Sequence, residues 1–206
     1  MKRALDVILA VVLLAIAALP MLLIAIAIKL TSAGPILHWS DRVGRRGILF
    51  KMPKFRTMRV GTPQLATHLL GESQKWITPI GRALRKMSLD ELPQLWSILV
   101  GDLSFVGPRP ALFNQHDLIG HRVAAGVDQL IPGLTGWAQI NGRDTLSIAE
   151  KVKCDIYYLE NHSLLFDMRI LVRTGPYLLS GRNVQQQDQC RTSQLEANAH
   201  ESGRRK

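Results

Sequence analysis

VILAVVLLAIAALPMLLIAIAI, residues 7–28, carries not one charged or polar side chain. As a continuous helix it would reach about 33 Å at ~1.5 Å per residue, enough to cross a ~30 Å hydrocarbon core. A cleaved leader would have a shorter apolar core and a small-residue cleavage site behind it, so the expectation is a membrane-inserted helix. Pro20 lies past the middle of the run, where it has no N–H for the Ile16 carbonyl and should kink the helix. Basic residues flank both ends: Lys2 and Arg3 before, Lys29 and a denser basic segment after. A spanning helix usually concentrates basic residues on its cytoplasmic side. Basic flanks at both ends suit a helix that enters the membrane, bends at Pro20 and returns to the same face. The residues alone leave spanning and re-entrant arrangements open, and either one places the rest of the chain in the cytoplasm.

The 206 residues leave room for one further domain with its own core. A formal charge of +10 and a pI near 10.1 point to an anionic partner: a phospholipid surface, nucleic acid or a phosphorylated substrate. Cys154 and Cys190 match no metal or redox spacing and read as reduced thiols. The six histidines show no metal-ligand spacing either.

Beyond the apolar run, residues 35–58 predict a hairpin, with ILHW and GILF on either side of the turn at 43–47. Its side chains Arg42, Arg45, Arg46, Lys51, Lys54, Arg56 and Arg59 face a single acid, Asp41, and suit anionic headgroups beside the membrane segment. Residues 60–77 read as a variable loop. Helical patterns follow over 80–100 (interrupted near Ser88 and Pro93), 116–130, 147–159 and 167–179. Between them lie two Gly/Pro-rich loops at 101–110 and 132–143. After Gly181 the composition is that of a disordered tail.

The chemistry concentrates in Ser88-Leu89-Asp90-Glu91-Leu92-Pro93. Ser88 with Glu91 three residues on is a capping-box pattern, and on spacing alone that reading leads. Pro93 works against it, falling beyond the first turn where its missing N–H matters. The acidic pair would then sit on a bend. Adjacent carboxylates can divide labour, one attacking phosphorus and the other holding a divalent cation, because a carboxylate is ionised at neutral pH. Repulsion from an anionic phosphate must then be relieved by metal or arginine. Arg109, fixed between Pro108 and Pro110, suits phosphate or carboxylate recognition, though a plain surface turn fits as well. The loop at 132–143 could present backbone N–H groups to an anion, but it is neither a Walker A loop nor a dinucleotide fingerprint.

In order along the chain, these pieces resemble the bacterial sugar transferase family, the monotopic phosphoglycosyl transferases. The matching segments are Lys2-Arg3-x-x-Asp6, Arg42-Val43-Gly44, KFRTM at 54–58, SLDELPQLW at 88–96, GDLSFVGPRP at 101–110 and PGLTGWAQINGR at 132–143. Asp155-x-Tyr157-Tyr158 and Ser163 with Asp167 complete the series. The resemblance implies a mainly α fold with a small β-hairpin. It would comprise a re-entrant membrane helix (1–30), a compact cytosolic catalytic domain with interfacial helices (31–181) and a tail (182–206). It implies a UDP-sugar donor, an undecaprenyl phosphate acceptor, Mg²⁺ and a place on the cytoplasmic face of the inner membrane among phospholipids, with no nucleic acid; an oligomer is left open. Asp90 would be the nucleophile and Glu91 the metal ligand. Arg85, Arg109, Lys54, Arg56, Arg143, Asp155 and Asp167 would serve substrate and phosphate, and Lys2, Arg3 and Pro20 the membrane. Departures are Leu19 where relatives commonly place Ser before the proline, and Ile131 where many place a basic residue. The further spanning helices of larger members are not expected.

Two other classes stand beside the transferase. A membrane-anchored adaptor would use the basic hairpin to hold a partner and would have no need of Asp90, Glu91 and Arg109 together. A nucleic-acid binder is prompted by charge alone, and no recognised motif for it occurs.

Overall fold

The computed structural model describes residues 1–62, 75–142 and 145–179. Most of the predicted loop at 60–77, Arg143 and the predicted tail lie outside the described residues. The apolar run forms α1, Lys2–Thr31, one unbroken helix through Pro20. At ~1.5 Å per residue it is about 45 Å long. By length and composition α1 can anchor in a membrane, with a mean hydropathy of 3.1 over its most apolar stretch. Ile8, Val11, Val12, Ile16, Leu19, Leu22, Leu23 and Ile26 are exposed along it, whereas Asp6, Ala10 and Ile28 are buried against the remainder of the chain.

Both ends of α1 are fastened to the same body. At the start, Arg3 Nη1 and Nη2 donate to the Ile98 and Leu99 carbonyls at 2.5 and 2.8 Å. Asp6 accepts from Ser104 Oγ at 2.9 Å and from the Phe105 N–H at 3.2 Å. At the far end, Arg56 donates to the Ala33 carbonyl and, at 2.8 Å, to both the Ser32 carbonyl and its Oγ. Ile28 packs there with Phe55 and Leu84.

The predicted hairpin is present as β1, Leu37–Val43, and β2, Leu49–Phe55, antiparallel with Leu37 opposite Phe55 and Val43 opposite Leu49. Its turn places Arg46 at φ 56° and Gly47 at φ 76°, left-handed geometry that lets the chain reverse. Next come α2, Pro79–Lys86, a single 3₁₀ turn at 89–91 and α3, Gln94–Val100.

The two Gly/Pro-rich segments are more than loops. Ser104–Val106 forms β3 and Gly133–Thr135 forms β4, a parallel pair with Ser104 opposite Gly133 and Val106 opposite Thr135. Glycine here permits close backbone approach: a Cβ on Gly133 would lie 2.1 Å from the Gly107 nitrogen. The Gly107 N–H donates to the Thr135 carbonyl and the Gly133 N–H to Pro108, both at 2.9 Å, so these amides serve the fold and not an anion. The remaining helices are α4 (His116–Ala124), α5 (Trp137–Ile140), α6 (Ile148–Asn161) and α7 (Leu164–Leu179). The predicted helix over 116–130 stops early because Gly126 adopts φ 72°, after which 127–129 form a 3₁₀ turn.

The main core gathers Ala10, Met52, Leu95, Ile98, Phe105, Val106, Tyr158 and Ile170. Full burial of a side chain such as Ile98 contributes about 1.5–3 kcal/mol. This core unites α1, the hairpin, α3, β3, α6 and α7, and it sets the carboxylate turn between the hairpin and α3.

Candidate active site

The acidic pair is presented by an uncommon bend. Ser88 has φ 56° and ψ 20°, left-handed for a residue with a side chain, at a cost of about 1–2 kcal/mol. Its carbonyl accepts the Glu91 N–H at 3.2 Å, and its side chain makes no capping bond. Pro93 stands at the start of α3, where a missing N–H leaves no helical bond unmade. The Ser-x-x-Glu pattern here is thus a bend, not a capping box, and it turns both carboxylates toward the hairpin.

Asp90 is buried, and Glu91 lies next to it with Oε1 2.6 Å from Arg109 Nη2. Arg42 on β1, Lys54 on β2, Arg85 on α2 and Arg109 after β3 all bear electrostatically on this pair or on one another. Burial pushes the Asp90 carboxyl above its ordinary pKa, the Glu91 charge pushes it further, and Lys54 and Arg85 pull it back. Burial, with Arg42 and Arg85 nearby, brings Lys54 down to about 8, against the opposing pull of the two carboxylates. Arg42 is lowered to about 10 by burial and by Arg109, and stays charged at neutral pH. Four cations around two carboxylates leave positive charge to spare, the electrostatics expected of a site for a further anion.

Of the residues singled out from sequence, Lys54, Arg85, Asp90, Glu91 and Arg109 come together here. Arg56, Asp155, Asp167, Lys2 and Arg3 bond elsewhere. Arg56 closes the end of α1. Asp155, on α6, pairs with Arg122 of α4 at 2.7 Å. Asp167 accepts from Lys2 Nζ at 2.5 Å and from Tyr158 Oη at 2.6 Å, and both donors also reach the Val106 carbonyl, at 3.0 and 3.2 Å. Lys2 and Arg3 are therefore engaged with the body of the protein, and Pro20 sits on an exposed part of α1. Arg42 joins the cluster around the acidic pair, although the sequence marks it only as part of the basic hairpin and of the Arg42-Val43-Gly44 match. The signal for it was the two-residue period of a strand: Arg42 shares a parity with His38, which is paired with Lys54. Arg122, a lone arginine in an ordinary helical pattern, gave no such signal.

Residues 1–181 match the family model described as bacterial sugar transferase. The chain belongs to the bacterial sugar transferase family. It is 37% identical over 186 residues to an uncharacterized sugar transferase, EpsL, of Bacillus subtilis, covering 90% of this chain and 91% of that one. It is 41% identical over 191 residues to a UDP-glucose:undecaprenyl-phosphate glucose-1-phosphate transferase of Caulobacter vibrioides, covering 88% of this chain and 71% of the other. With a UDP-N-acetylgalactosamine-undecaprenyl-phosphate N-acetylgalactosaminephosphotransferase of Aeromonas hydrophila the identity is 33%, over 87% of this chain and 44% of that protein.

In this bacterial sugar transferase, no group of three or more His, Cys, Asp or Glu side chains suited to a metal occurs among the described residues. The adjacent Asp90 and Glu91 do fit a hard cation that takes most of its oxygens from water and substrate phosphate, as Mg²⁺ does.

Proposed function

We propose that this protein transfers a sugar 1-phosphate from a UDP-sugar to undecaprenyl phosphate, on the cytoplasmic face of a bacterial inner membrane, as the first membrane step of a polysaccharide or glycan. The observation that carries this reading is the buried Asp90 beside Glu91, ringed by Arg42, Lys54, Arg85 and Arg109. A carboxylate held under surplus positive charge suits attack on a phosphate ester. The names of the relatives supply the donor and acceptor classes.

In the first step an Asp90 carboxylate oxygen bonds to the sugar-bearing phosphorus. The bond from that phosphorus to the bridging oxygen breaks, and UMP departs with the electron pair. In the second, an oxygen of the lipid phosphate bonds to the same phosphorus and the Asp90 oxygen leaves as carboxylate, ready for another cycle. Lys54, Arg85 and Arg109 balance the phosphate charge through both displacements. Bound through Glu91, Mg²⁺ would supply further charge neutralisation at the phosphates.

The membrane arrangement we propose is re-entrant. Its support is that Arg3 and Asp6 at one end of α1, and Ser32 at the other, are bonded to one body, which suits a helix whose two ends lie on the same face. α7 offers a second apolar surface, with Leu165, Met168 and Val172 exposed on successive turns, and suits a position at headgroup level. A site at that level would meet a water-soluble nucleotide sugar and a lipid phosphate together.

The test is UMP release by detergent-solubilised protein given a panel of UDP-sugars, with and without undecaprenyl phosphate and Mg²⁺, beside Asp90→Ala. Lipid- and metal-dependent UMP production, absent in the variant, is expected, and the donor that works names the sugar. Full activity in Asp90→Ala would overturn the covalent route, and no UMP from any donor would favour the adaptor.

A further inference from the structure

The stretch Pro108-Arg109-Pro110 has no N–H at its first or third residue, so it must be held largely through its carbonyls. All three carbonyls accept. Pro108 takes the Gly133 N–H at 2.9 Å, Arg109 takes Arg122 Nη1 at 2.8 Å and Pro110 takes Arg42 Nη1 at 3.1 Å. Arg122 comes from α4, outside the cluster around Asp90. Its Nε and Nη2 both donate to Asp155 Oδ2, at 2.9 and 2.7 Å; Asp155 is buried and Arg122 largely so, with side-chain exposures of 2% and 12%.

A buried ion pair alone says little, since apolar residues of similar volume often replace one without loss of stability. What distinguishes this pair is the third contact. A guanidinium is a rigid planar fork, so anchoring two nitrogens on Asp155 fixes the direction of the remaining one. That nitrogen meets the carbonyl of the residue whose own guanidinium reaches Glu91. α6 and α4 are thereby connected to the carboxylate pair through one peptide unit.

We propose that Arg122 is a positioning residue: braced by Asp155, it fixes the main chain at Arg109 so that the Arg109 guanidinium stays on Glu91 and on the phosphate of the donor. The inference rests on the transferase reading for its effect on turnover, though the hold itself is a property of the fold.

The test uses the full chain in detergent, with Arg122→Lys and the double variant Arg122→Met/Asp155→Leu. Lysine keeps the charge beside Asp155 but cannot also reach the Arg109 carbonyl in the fork geometry. The double variant removes both charges and protects the fold from an unpaired buried aspartate. Each is measured alone and in an Arg109→Ala background, for UMP release, thermal unfolding and hydrogen exchange at the Gly107 and Gly133 amides. We expect kcat/KM to fall about 10²-fold in both, the scale of a misplaced binding group, with unfolding little changed. Exchange at Gly133, whose acceptor is the Pro108 carbonyl, should quicken. In the Arg109→Ala background the further loss should largely vanish, because both changes act on one contact. Wild-type turnover in either variant, an undiminished loss on top of Arg109→Ala, or unaltered exchange would each overturn the proposal. A wild-type protein that releases no UMP from any donor would instead sink the transferase reading, and the exchange measurement would still decide whether Arg122 holds the loop.

Discussion

Two four-residue segments among the described residues start with serine and end with glutamate: Ser88-Leu89-Asp90-Glu91 and Ser147-Ile148-Ala149-Glu150. The second is a complete capping box. Ser147 is extended, its Oγ accepts the Glu150 N–H at 3.3 Å, and Glu150 Oε2 accepts the Ser147 N–H at 2.8 Å. The Ser147 hydroxyl, which also donates to Glu150 Oε2 at 2.7 Å, and then the Ser147 N–H hold the exposed Glu150 carboxyl below its ordinary pKa. In the first segment Ser88 is left-handed, caps nothing with its side chain, and Glu91 turns to Arg109 instead. There the neighbouring carboxyl, Asp90, is buried and pushed upward. One pattern thus stabilises a helix in one place and, in the other, sets a carboxylate pair among cations. The difference is Pro93, which keeps a helix from running on from Ser88, together with the cations that β1, β2 and α2 bring to the bend.

The same substitution at the two glutamates tests that contrast most severely. Glu91→Gln removes the charge that Arg109 meets and, on the proposed function, weakens the hold on the cation, and should lower kcat at least about 10²-fold, the scale of losing one preorganised electrostatic contact. Glu150→Gln loses only part of a surface cap, so UMP release should match wild type and thermal unfolding shift slightly. Equal turnover in the two variants would mean that the bend is not the reactive site.

Much of this was legible in the sequence because it rests on short-range rules. The hairpin follows from apolar strands on either side of a Gly-rich turn, and the break at Ser88 and Pro93 from proline chemistry. β3 and β4 were not legible, since three-residue strands are too short to show a period and their Gly and Pro content signals a loop. Lys2 and Arg3 read as headgroup contacts because basic residues beside an apolar run usually are. Their bonds to Asp167 and to the carbonyls of α3 span more than 90 positions of sequence, beyond the reach of local pattern. Arg122 is the same case: what distinguishes it is the carbonyl it meets, which only the packing of α4 against α6 reveals.

Smaller effects should appear in the pH dependence. Lys54 carries its charge below about pH 8 and loses it above, so it supports phosphate binding on the acid side of that value. The kcat/KM profile, which reports the free enzyme, should therefore fall as pH rises through about 8. Lys54→Arg keeps the charge far into the alkaline range and should move that limb upward. Removing Glu150 from the other segment should leave the profile where it was. An alkaline limb that stays in place in Lys54→Arg would assign it to another group.

The finest discrimination lies in the serines, where one substitution should have opposite signs. At Ser88, φ 56° disfavours any residue with a Cβ, so Ser88→Gly relieves strain of about 1–2 kcal/mol, offset by about 0.5–1 kcal/mol of added freedom in the unfolded chain. The net should be a small gain in stability. At Ser147 the backbone is extended and glycine brings no relief, while the cap to Glu150 is lost, so Ser147→Gly should be mildly destabilising. Chemical or thermal unfolding of the two variants in the same detergent reads the sign directly. Destabilisation by both would mean that the Ser88 side chain contributes more to the bend than its strained backbone costs, and the bend would then be held by serine chemistry and not merely imposed by Pro93 and the surrounding charge.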